Sequence, residues 1–130
     1  MNQQGEQLTE RLMCFALAAA QICRAMTGSW EGRHVAGQLF RSATSAAANH
    51  RAARRARSRR EFAAKLGTVL EEADESKFWL EFATRSRLCN ATAVASQLQE
   101  AGELTAIFTA ATRTANQAVR DEKRRSRATA

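Results

Sequence analysis

The chain has no proline and no tyrosine, only six glycines among 130 residues, and no long apolar run. Each shortage excludes something. Strand-rich folds reverse direction often, and their tight turns draw on proline and glycine. A membrane span needs about 18 or more consecutive apolar residues; the stretch from Met13 to Ala20 is far shorter. That stretch also fails as a secretory signal, because Glu6, Glu10 and a single cation, Arg11, precede it in place of a basic segment. The three cysteines, Cys14, Cys23 and Cys89, form no CxxC pair. A disulfide framework is therefore not expected, and the chain reads as a cytoplasmic protein with reduced thiols. Cys14 and Cys23 fall among apolar positions and are expected to be buried.

What remains is rich in alanine, leucine, glutamate, glutamine and arginine, which favour helix. The fold class is all-α, and apolar residues recur at three- and four-residue steps in four segments. The first helix is expected from about Glu6 to Met26, with Leu8, Leu12, Phe15, Ala19, Ile22 and Cys23 on one stripe. Thr27 to Gly32 reads as a loop. The second helix is expected from about Arg33 to Arg57, its inner side lined by Val35, Leu39, Ala43, Ala46, Ala47 and Ala53. Asn49 falls near that side.

Ser58-Arg59-Arg60-Glu61 matches a capping box and opens a third helix, expected to about Ser86. Phe62, Leu66, Val69, Leu70, Ala73, Trp79, Leu80 and Phe82 form its apolar face, and Gly67 inside it suggests a close helix contact. Asn90 is a candidate N-cap for a fourth helix reaching about Arg120. Short links between four amphipathic helices imply an up-and-down antiparallel four-helix bundle. Residues 1–120 are read as one domain, and residues 121–130, polar and without periodicity, as a disordered basic tail.

The net charge of +7 is unevenly placed. Residues 38–65 hold eight cations against the single anion Glu61, a local excess equal to that of the whole chain. Residues 120–130 hold five cations against two anions. Such a cluster repels itself unless an anion neutralises it. Arginine's planar fork suits phosphate oxygens, so nucleic-acid backbone is the candidate ligand. The candidate contacts are Arg51, Arg54, Arg55, Arg57, Arg59 and Arg60, with Arg120, Lys123, Arg124 and Arg125 as a possible second site. Phe62 is the only aromatic residue nearby, and its spacing assigns it to the core. Base stacking is thus poorly served, and contacts to backbone are expected.

Catalytic patterns are wanting. The carboxylates Glu71, Glu72, Asp74 and Glu75 have no histidine at the Glu-x-x-His spacing of bundle di-iron sites. Their expected role is pairing with the basic second helix. His34 and His50 stand apart, Ser45 and Cys89 have no base at recognisable spacing, and no glycine-rich phosphate loop occurs. Neither an enzyme nor a cofactor is expected.

The run Gly32 to Ser45, then Ala47-Ala48-Asn49-His50-Arg51-Ala52, resembles the four-helix-bundle proteins of the 23S ribosomal RNA intervening-sequence family. The block Arg57 to Gly67 resembles the same family, as does Glu71-Glu72-Ala73-Asp74-Glu75 followed by Trp79-Leu80. Two positions depart from the family pattern. Ala46 stands where many relatives carry proline, which implies a straighter second helix, and Arg51 stands where an acidic residue is common. The resemblance implies four antiparallel helices, a ring-shaped homopentamer and an association with nucleic acid. A related branch serves as accessory proteins of diversity-generating retroelements, partnering a reverse transcriptase. The expected function is a non-catalytic oligomer that binds RNA or DNA backbone. The competing reading is a protein-interaction scaffold or accessory subunit.

Overall fold

A computed structural model describes residues 3–129; Met1, Asn2 and Ala130 lie outside the described residues. Four helices follow in order: α1 (Gln3–Arg24), α2 (Trp30–Ala53), α3 (Arg59–Arg85) and α4 (Ala91–Thr129). The described residues contain no strand. Each helix packs against its chain neighbour, α4 closes back onto α1, and the diagonal pairs α1/α3 and α2/α4 face each other across the core. This is the expected up-and-down antiparallel bundle.

The core follows from the apolar periodicity. Leu12 and Phe15 of α1, Leu39 of α2, Val69 and Leu80 of α3, and Val94, Leu104 and Phe108 of α4 are fully or almost fully buried. Alanines Ala19, Ala43, Ala46, Ala73, Ala83 and Ala101 fill the closest approaches. Ala46, at the position where proline is common, is buried within a continuous helix. A few polar groups enter the core, and among the described residues only Thr112 Oγ1 is buried without a hydrogen-bond partner. Ser42 and Ser76 share a hydrogen bond at 2.8 Å between α2 and α3. Gln97 Nε2 donates to the Phe15 carbonyl at 2.7 Å, joining α4 to α1. Asn49, only half-buried, donates to the Ser45 carbonyl one turn back.

Ser29 caps α2, accepting from the Gly32 amide at 3.0 Å, so the expected loop contributes its last three residues to the helix. Gly32 is required there: a Cβ would lie 1.9 Å from the Met26 carbonyl oxygen. The second helix ends at Ala53 rather than Arg57. Its exit tightens through short-range bonds, Arg55 N–H to the Ala52 carbonyl and Ala56 N–H to the Ala53 carbonyl, both at 3.0 Å. Ser58 then caps α3 by accepting from the Glu61 amide at 3.0 Å, as the capping box predicts. At the other end of α3, Leu88 N–H bonds to the Ala83 carbonyl and Arg87 N–H to that of Thr84. This is a Schellman closure with Arg87 in the left-handed region at φ 62°. Asn90 accepts from the Thr92 amide at 2.8 Å, confirming the expected cap of α4.

Four expectations need correction. The basic tail is not irregular: α4 runs on to Thr129. Alanine, arginine and lysine are strong helix formers, and cations in a last turn suit the negative end of the helix dipole. Side chains staple the same stretch, with Arg120 donating to Gln117 at 2.7 Å and Gln117 donating to Asp121 at 2.9 Å. Gly67 marks no close contact, since a Cβ there would meet nothing within 4 Å. Phe62 and Phe82 are 39% and 43% exposed rather than core, because Ala63, Leu66 and Ala83 already fill the inward face. Cys14 is exposed, while Cys23 is buried as expected. Burial pushes the Cys23 thiol up to about 11.

Candidate nucleic-acid interface

Antiparallel topology brings the start of α1, the end of α2, the start of α3 and the end of α4 to one end of the bundle. Two contacts fix this. Arg54 lies 3.7 Å from Glu6, tying α2 to α1, and Arg59 donates to Glu122 at 2.7 Å, tying α3 to α4. All ten candidate cations therefore share one pole. Residues 51–65 and 120–129 together hold twelve cations and three anions, while the rest of the chain has more anions than cations.

Their surroundings differ. Arg51, Arg55 and Arg57, with Lys65, line a shallow groove of about 390 Å³ between α2 and α3, completed by Ala48, Ala52 and Glu61. Arg51, Arg55, Arg57, Arg60, Lys123 and Arg125 have no carboxylate within ion-pair distance among the described residues. Arg59 and Arg60 occupy the first turn of α3, where a cation adds to the positive end of the dipole instead of cancelling it. That placement disfavours the free state and favours a bound anion.

Arg54 is the exception. Its side chain is only 24% exposed, and besides Glu6 it donates to Thr9 Oγ1 at 3.3 Å. Thr9 Oγ1 also lies 2.9 Å from Nδ1 of His50, whose ring packs edge-on against Phe108 with centroids 5.4 Å apart. Burial, then the charge of Arg54, holds the His50 imidazole below its ordinary pKa. Arg54 is thus a structural residue beneath the surface cations. Sequence reasoning missed this, and also left Lys65 and Arg127 out of the candidate set.

The acidic run does pair with the second helix. Arg41 bonds bidentately to Glu72, at 2.9 and 3.3 Å, and also to Glu75. Burial alone would raise the Glu75 carboxyl, but hydrogen bonds from Arg41 and the Trp79 indole hold it below its ordinary value. On the opposite side Arg11 bridges Glu100 and Glu103 at 2.7 Å, joining α1 to α4. Among the described residues no three of His, Cys, Asp and Glu converge as a metal site. No helix among them is long and apolar enough to cross a membrane.

The other pole carries the exposed aromatic cluster, although Phe62, 39% exposed, stands near the start of α3 at the basic pole. Phe78, Trp79 and Phe82 stack edge-on or tilted within 4.9–6.2 Å of one another, and His34 of α2 meets Trp79 at 5.7 Å. Trp30 and Phe78 are 75% and 54% exposed.

Comparison with known proteins agrees with this architecture. A protein of unknown function from the S23 ribosomal protein family of Bacteroides thetaiotaomicron, solved by crystallography, superimposes with a TM-score of 0.74 at 26% identity. The match covers 80% of this chain and 96% of that one. No match is found among proteins of curated function. Residues 7–110 match the 23S rRNA-intervening sequence protein family. With four-fifths of its length so matched and the bundle in place, the chain belongs to the 23S rRNA-intervening sequence protein family.

Proposed function

We propose that the chain is a non-catalytic, self-assembling bundle that binds the sugar–phosphate backbone of RNA or DNA at its basic pole, in the cytoplasm. One observation carries this reading: Arg51, Arg55, Arg57 and Lys65 converge on one groove, and none of the four has an internal ion-pair partner among the described residues. A cluster of that density stays self-repelling until phosphates neutralise it. The family resemblance further implies a ring-shaped homopentamer. Trp30, Phe40, Phe78 and Phe82 are large exposed apolar residues away from the groove, and packing subunits through them would leave the basic pole free.

The test is binding of a labelled oligonucleotide by nuclease-treated protein across a salt series, with mass read by light scattering. Affinity should fall steeply with salt, from a species of five times the 14.3 kDa chain mass. Substituting Arg51, Arg55 and Arg57 by glutamine should lower the slope of log affinity against log salt by about three, roughly one per lost phosphate contact. Unchanged affinity in that variant overturns the assignment.

A second reading is supported by the exposed aromatic pole, a surface suited to a protein partner. Here the chain is an accessory subunit, for example of a reverse transcriptase, and the basic pole meets an acidic protein surface. Nuclease treatment separates the two: a protein complex survives it, whereas an assembly held together by nucleic acid does not.

A further inference from the structure

The cations at the basic pole do not form one surface. The groove lies between α2 and α3, while Arg120, Lys123, Arg124, Arg125 and Arg127 belong to α4, which stands diagonal to α2. The last buried residue of α4 is Ala115, and the Arg59–Glu122 bridge is its last anchor to another helix. Residues 123–129 then project beyond the start of α3 by about 10 Å at 1.5 Å per residue.

The bridge also fixes how this arm is turned. At about 100° per residue, Arg120, Lys123, Arg124 and Arg127 fall within one arc of roughly 100°, and Glu122 points about 150° from its centre. Glu122 faces Arg59 on α3, so the stripe of four cations faces away from α3. All four are exposed, and only Arg124 meets a carboxylate among the described residues, Asp121 of its own helix at 3.5 Å. Along the helix axis the four cations span about 10 Å, with Arg120 and Arg124, and likewise Lys123 and Arg127, about one turn apart. The arm lies outside the family match, which stops at residue 110.

We propose that the end of α4 is a second phosphate-binding face, independent of the α2–α3 groove, so that each subunit holds two nucleic-acid segments on opposite sides and bridges them. This rests on the reading of the groove as a nucleic-acid site. The two faces are too differently directed to grip one short backbone segment together. A single subunit thereby acts as a link between two duplexes or two parts of one folded strand.

The experiment counts short ligands per subunit, which is independent of oligomer size. Full-length protein is titrated with a fluorescein-labelled 12-base-pair DNA duplex at low salt, and the equivalence point is read by sedimentation. Wild type should bind two duplexes per subunit. The variant R120Q/K123Q/R124Q/R127Q should bind one, as should R51Q/R55Q/R57Q. Circular dichroism confirms that each variant is folded. A stoichiometry of one for wild type overturns the second face while leaving the groove assignment standing. So does loss of all binding in the groove variant, which would make the arm dependent on the groove. No binding by wild type at all removes the nucleic-acid reading itself, and the bridge with it.

Discussion

The two poles of the bundle hold their turns together by different means. At the aromatic pole the connections are fixed by backbone geometry together with the uncharged caps of Ser29 and Asn90. Gly32 lets α2 start against the Met26 carbonyl, and a Schellman closure ends α3. At the basic pole the α2–α3 turn leans on side chains: the Ser58 cap, the Arg59–Glu122 bridge, and the chain from Glu6 through Arg54 and Thr9 to His50. Backbone geometry responds little to salt or pH. Charges and a buried imidazole respond to both. One end of the molecule is therefore built as a fixed closure and the other as an adjustable surface, as befits the end proposed to meet a charged ligand.

The comparison breaks most sharply at Gly32. Replacing it with alanine drives a Cβ into a backbone carbonyl that has no flexible end to yield, and overpacking of that kind costs about 1–3 kcal/mol. Urea unfolding of Gly32→Ala should show a lowered midpoint that added salt does not restore. A variant as stable as wild type would mean that the aromatic-pole turn is looser than described.

A smaller effect sharpens the same pole. Arg87 holds a left-handed conformation that costs an L-residue roughly 1–2 kcal/mol. Arg87→Gly should therefore raise stability by about 1 kcal/mol and leave oligonucleotide affinity unchanged.

The smallest effect belongs to the basic pole and comes from pH. His50 is held below its ordinary pKa by burial and by Arg54, so the unfolded chain binds a proton more readily than the folded one. Its contribution to stability is whole above the unfolded value of 6.5 and is lost as pH falls from there through the lower folded value. Unfolding free energies between pH 7 and pH 5 should decline in wild type and run flatter in His50→Gln. Equal slopes would show that the imidazole does not govern this pole.

Much of the fold was legible because helix burial repeats every three to four residues, and Leu12, Leu39, Val69 and Leu104 fall where that period places them. The start of α2 was not. Gly28-Ser29-Trp30-Glu31-Gly32 has a loop's composition, yet Gly32 serves a close backbone approach rather than a bend. The end of α4 misled for the opposite reason: beyond Val119 no apolar period remains, and helix propensity with short-range side-chain bonds carries the chain on. As for the site, the cations were readable as a composition bias. Their gathering at one pole required the antiparallel packing, the outward turn of the arm depends on one ion pair, and the inward turn of Arg54 depends on partners 45 and 48 positions away. Local patterning carries no trace of such distant partners.

The last buried residue of α4, Ala115, has a consequence for how this protein can be edited. A protease trimming the chain back to about residue 119 would remove five cations and two anions without opening the core. Charge and fold are encoded in separable stretches here, so the reach of the molecule could be shortened, after synthesis or over evolution, while the bundle itself stays as it is.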